Sequence, residues 1–109
     1  MGAAIVDLEI NEGHTFVMSL ELWENEDNTI PIDVSSDTFI GSFEFSGVNI
    51  PMVVVLMDGT TNVIEATVSH TSMVDLPTKG KYDIDQLQAD GERYRLIQGR
   101  VRVNQEVTK

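Results

Sequence analysis

Apolar residues in this chain recur at every second position rather than every third or fourth, and that period suits strands with one buried face. Ala4, Val6, Leu8 and Ile10 alternate with Ile5, Asp7 and Glu9 ahead of Asn11-Glu12-Gly13, which predicts a first strand ending at a turn. Phe16, Met18, Leu20 and Leu22 alternate with Val17, Ser19, Glu21 and Trp23 in a second. A third spans Thr38 to Phe45, with Phe39, Phe43 and Phe45 inward and Ile40, Ser42 and Glu44 outward. Gly41 falls on its inward side, where it signals a bulge or a close approach of backbones.

Met52 to Met57 is apolar without alternation, so it is expected either to be covered on both faces or to lie centrally with its outer face against a partner. Asp58-Gly59 supplies the positive φ of a tight hairpin turn, and Ile64, Ala66 and Val68 carry the next strand inward. The period then breaks over Ser69 to Pro77. Thr71 or Ser72 can cap one helical turn there, Ser72 and Asp75 have capping-box spacing, and Pro77 ends it. The last two strands, about Lys81 to Ala89 and Glu92 to Asn104, meet at Asp90-Gly91. Tyr82 and Ile84 are out of phase with Leu87, and Tyr94 and Leu96 with Ile97, Val101 and Val103. A bulge or a sharp coil in the middle of the hairpin explains both slips. Seven to eight short strands with one helical turn predict an all-β, immunoglobulin-like antiparallel sandwich, without the Cys and Trp markers of antibody domains.

At 109 residues the chain is expected to be a single domain, residues 1–109. About two-thirds of the unfolded surface is buried at this size, enough for a core without staples. The absence of Cys excludes disulfides, thiolate metal sites and a thiol nucleophile. A formal net charge of −11 disfavours nucleic acid and anionic membrane, whose binding depends on Lys and Arg meeting phosphate. The acidity suits a basic or charge-indifferent partner, or serves solubility alone. Met1 to Asp7 has no basic region and meets an acid early, so no secretion signal is expected. The apolar stretch from Ile50 to Met57 is far shorter than the roughly 20 residues of a spanning helix.

Catalytic chemistry finds little footing. His14 and His70 are the only imidazoles and have neither His-x-His nor His-x-x-x-His spacing. A triad of one of them with Asp75 and a Ser lacks a Gly-x-Ser-x-Gly elbow, and no glycine-rich loop opens a helix to cradle phosphate. Glu24-Asn25-Glu26-Asp27-Asn28 offers oxygen ligands for calcium but not the EF-hand order, and reads first as a solvated hairpin loop. No enzyme activity, cofactor or resident metal is therefore expected. What remains is a set of apolar residues in the outward phase: Val17, Trp23, Ile40 and one face of the Met52 to Met57 run, with Met52 and Met57 themselves as candidates. A cluster containing Trp and Met is interface material unless the fold covers it.

Two sets of residues resemble a known family. Gly13-His14-Thr15-Phe16, Leu20, Ile30-Pro31-Ile32-Asp33-Val34 and Thr38-Phe39-Ile40-Gly41 are similar to the opening of small tailed-phage virion proteins of cyanophages and prophages. These resemble the amino-terminal domain of BppU-type baseplate upper proteins. Leu76-Pro77, Gly80-Lys81-Tyr82-Asp83-Ile84, Asp90-Gly91, Arg95 to Val103 and Glu106-Val107-Thr108 are similar to their closing segment. His14 stands where an acid is usual, and Gly47 to Met52 replaces a charged stretch. The resemblance implies an immunoglobulin-like module mounted on a phage particle, as a capsid decoration or cement protein or a tail, collar or fibre adaptor. Its partners would be other virion proteins and further copies of itself, not nucleic acid or membrane. The competing expectation is a carbohydrate- or calcium-dependent receptor-binding module, which needs exposed aromatics around a polar cleft; Trp23 is the obvious one.

Overall fold

The computed structural model describes residues 4–24, 27 and 29–105. Eight strands follow one another along the chain: β1 (Ala4–Ile5), β2 (Leu8–Asn11), β3 (Phe16–Glu21), β4 (Thr38–Phe45), β5 (Val48–Leu56), β6 (Val63–Val68), β7 (Lys79–Leu87) and β8 (Arg93–Asn104). They form one sheet in the order β1-β8-β7-β4-β5-β6-β3, with β2 also paired to β8. The chain is all-β, as its period requires. No described helix is long and apolar enough to cross a membrane.

The sheet curls because β5 changes partner midway. Val48 to Met52 pairs with β4 and Val53 to Leu56 pairs with β6, so where a sandwich has two separate sheets this chain has one continuous curled sheet. Its start at Val48 is earlier than the apolar run suggests. Ser46 and Gly47 both take positive φ, at 48° and 85°, and make a two-residue hairpin turn out of β4. In such a hairpin the even-numbered residues of β5 face β4 and the odd ones face away. Pro51, which has no N–H, therefore stands where its nitrogen meets an unpaired edge, a position that a strand tolerates.

The two halves meet across the core. Phe16 of β3 touches Phe43 of β4 edge to face, with ring centroids 4.9 Å apart at 78°. Phe43, Phe45, Ile64, Ile84 and Met73 are fully buried around them. β4 shows the expected alternation, with Gly41 on its buried side. A Cβ at Gly41 would sit 3.1 Å from the Ile84 side chain and 3.2 Å from that of Met52, so the residue marks tight side-chain packing, neither a bulge nor a close approach of backbones. The bulge lies in the β7–β8 hairpin, where the register shifts between Ile84 and Asp85, as the two phase slips require.

The first strand departs from expectation. It is broken at Val6 and Asp7 into β1 and β2, both parallel to β8 in the same register, Ala4 opposite Ile97 and Leu8 opposite Val101. At the break the Val6 backbone lies directly against Gly99, where any Cβ would collide with the Val6 carbonyl. That carbonyl instead accepts the Tyr82 hydroxyl at 2.6 Å, and the Asp7 carboxylate accepts the Arg100 N–H at 3.0 Å. The helical turn is a 3-10 turn, His70–Ser72, and its cap is Ser69 rather than Thr71 or Ser72. β7 also begins at Lys79, two residues before the expected start.

Candidate protein interface

The outer face of the β3–β6–β5 half is built by default. Phe16, Met18 and Leu20 of β3, Ile64, Ala66 and Val68 of β6, and Met52, Val54 and Leu56 of β5 supply the core. The intervening residues must then point to the outside. Register places them in rows: Val17, Thr67 and Val53 in one, Ser19, Glu65 and Val55 in the next, Glu21 and Val63 in the third. Val17, Val53 and Val55 are 57, 65 and 52% exposed. Ile40 is 50% exposed and lies one residue beyond the Gly41–Met52 pair, on the side of Val53. Glu21 and Glu65 are the only charges in these rows. Single exposed valines are ordinary; several on adjoining strands make a patch.

Of the residues expected at an interface, Val17 and Ile40 are exposed on this face. Met52 is a correction: at 8% exposure it belongs to the core, packed near Gly41, because β5 alternates after all. Val53 and Val55 take its place; the unbroken apolar run hid which of its residues face outward. Met57 is half-buried in the turn after β5, where its carbonyl accepts the Thr60 hydroxyl at 2.7 Å. Trp23 is half-buried beyond Glu21, paired across an isolated bridge to Pro31, and its indole N–H donates to the Glu21 carboxylate at 3.2 Å.

A second feature was not anticipated. Asp85 points to the outer side of β7, yet its side chain is 5% exposed, covered by two arginines. Arg93 donates through Nε at 2.8 Å and Nη2 at 2.7 Å, and Arg95 through Nε at 2.8 Å. Burial works to raise the Asp85 pKa, but the hydrogen bonds from Arg95 and Arg93 outweigh it and hold the carboxyl below its ordinary value. Arg95 also lies 3.6 Å from Asp83 and reaches Gln98 at 3.2 Å. Asp83-x-Asp85 and Arg93-x-Arg95 flank Asp90-Gly91, and folding the hairpin about that turn is the signal that pairs them.

The remaining expectations resolve by position. His14 and His70 are exposed, and neither ring bonds to a serine or a carboxylate among the described residues. His14 Nδ1 lies 3.2 Å from the Glu12 carbonyl, and the His70 N–H donates to the Thr15 hydroxyl at 3.3 Å. Asn25, Glu26 and Asn28 of the acidic loop lie outside the described residues, so the calcium expectation falls there. Among the described residues no three His, Asp or Glu side chains gather to hold a metal. A groove of about 860 Å³ between β2, β8 and β7 is lined by Glu9, Lys79, Arg100 and Arg102, with no aromatic side chain for a sugar to stack on. Compared with known proteins, the chain matches no family model and no curated protein sequence.

Proposed function

We propose that this chain is a structural protein of a tailed-phage virion, acting as a capsid decoration or cement protein or as a tail, collar or fibre adaptor. The motifs along Gly13 to Gly41 and Leu76 to Val103 support the reading by resemblance. The single observation that carries it is the cation-free outer face of β3, β6 and β5, with Val17, Val53 and Val55 each more than half exposed. A surface of β-branched side chains around Thr67 suits burial against another protein and offers nothing to a phosphate or a sugar. Function is then contact, and its partners are virion proteins.

The test is incorporation. Peptides of the protein are expected in the mass spectrum of purified particles at a fixed ratio to the major capsid or tail protein. The double variant Val53→Lys, Val55→Lys is expected to fold and yet be lost from particles. Purified virions devoid of the chain, or carrying the double variant at wild-type stoichiometry, overturn the reading.

A further inference from the structure

The free edge of β3 carries a more specific instruction. Leu22 N–H bonds to the Asn62 carbonyl at 2.8 Å, in step with the β3–β6 register. Alternation then assigns the backbone groups of Phe16, Met18 and Leu20 to β6 and sends those of Val17, Ser19 and Glu21 to the open side. The other side of β6 agrees: Met57 N–H bonds to the Val63 carbonyl at 2.8 Å, so the odd residues of β6 serve β5 and the even ones serve β3. Among the described residues no backbone group bonds to that open side of β3. The space beside it is a groove of about 340 Å³ lined in part by Leu8, Ile10, Phe16 and Met18.

An edge like this is usually guarded by lysine, proline or a bulge. β3 has none of them, and its register with β6 is unbroken. The opposite edge differs. β1 and β2 are interrupted at Val6 and Asp7, and β2 carries Glu9 and Asn11, both held by the Asn104 amide, at 2.7 and 3.2 Å.

We propose that β3 pairs antiparallel with β3 of a second copy about a two-fold axis through Ser19. In that register Ser19 faces Ser19, Val17 faces Glu21 of the second copy and Glu21 faces Val17, so all three outward pairs of backbone groups are used within β3. A register centred on Val17 leaves Glu21 unpaired, and one centred on Glu21 sets two carboxylates directly opposite, which destabilises a pair. Centred on Ser19, the two Glu21 residues stand about 13 Å apart along the strands, beyond the screening length of about 8 Å at physiological salt. Self-complementarity of this kind is what an isologous dimer requires. The outer rows of Val17, Thr67 and Val53 then continue across the axis, and two docking faces become one. This dimer does not depend on the virion role, and either can fail without the other.

The chain has no cysteine, so single cysteines report the register cleanly. Directly opposed residues of a hydrogen-bonded pair have Cα atoms about 5.5 Å apart, within disulfide range. Ser19→Cys is expected to oxidise to a covalent dimer at least about tenfold faster than Glu21→Cys, whose partners are too far apart. Sedimentation of the wild type is expected to show a monomer–dimer equilibrium. Ser19→Pro should abolish it while leaving the circular dichroism of the monomer unchanged, because the lost N–H is one β6 never uses. A wild type that stays monomeric at millimolar concentration, a dimer indifferent to Ser19→Pro, or equal oxidation of the two cysteine variants overturns the proposal.

Discussion

On the outer side of β7 and β8 lie six of the chain's seven lysines and arginines: Lys79, Lys81, Arg93, Arg95, Arg100 and Arg102. On the outer side of β3, β6 and β5 there is none, and no Lys or Arg occurs anywhere before Lys79. The charged half resolves much of its charge internally. Asp85 takes two arginines, Asp83 lies near one of them, and Glu44 lies 3.5 Å from Lys81. The valine half has only Glu21 and Glu65 among its rows and leaves apolar area in water. The valine rows gain free energy by being covered. A net charge of −11 describes neither half.

The largest effect is expected at Gly99→Ala, where a methyl group meets the Val6 carbonyl; a loss of about 3 kcal/mol by urea unfolding follows from forced overpacking against backbone. A cost under about 0.5 kcal/mol would show that β1 is not held to β8 by this contact. Next is Asp85→Ala, which strands two arginines that are 56 and 45% exposed and so partly able to find water. About 2 kcal/mol is expected, less than for a fully buried pair.

The same carboxylate has a pH signature. Its folded pKa lies below the unfolded value, so its stabilisation is present above the unfolded value and is lost as pH falls through the folded one. Below about pH 4 the wild type is expected to lose its advantage over Asp85→Asn, measured as converging unfolding midpoints. A constant gap down to the folded pKa contradicts the assignment. On the other half, Val53→Lys should change monomer stability by less than about 0.5 kcal/mol, because the side chain is 65% exposed. A large loss would mean the face is already covered. Smallest of all is Lys81→Gln, since its pair with Glu44 joins side chains 70 and 45% exposed and should be barely measurable in a double-mutant cycle.

Much of the fold is legible in the sequence. The period of two shows β3, β4, β6, β7 and β8, and the phase slips at Leu87 and Leu96 place an irregularity in the last hairpin, where the register shifts between Ile84 and Asp85. What stayed hidden depends on contacts remote in sequence. The break at Val6 is set by Gly99 and Tyr82, more than seventy residues away, as the Tyr82–Val6 separation of 76 shows. The run from Met52 to Met57 concealed its own alternation because both faces are apolar; only pairing with Gly41 and Thr67 tells Met52 from Val53. For the same reason Met52 was the one interface candidate to fall wholly inside the core. The Asp85 cluster was readable in principle from Asp-x-Asp and Arg-x-Arg on either side of Asp90-Gly91, but only once the bulge is placed.

Density for the intact particle would place this domain and its valine face together. The domain is expected to sit on another virion protein with Val17, Val53 and Val55 buried in the contact, and with Lys79, Arg100 and Arg102 facing solvent. A particle in which the domain is absent, or sits with the valine face open and the β7–β8 face engaged, would contradict it.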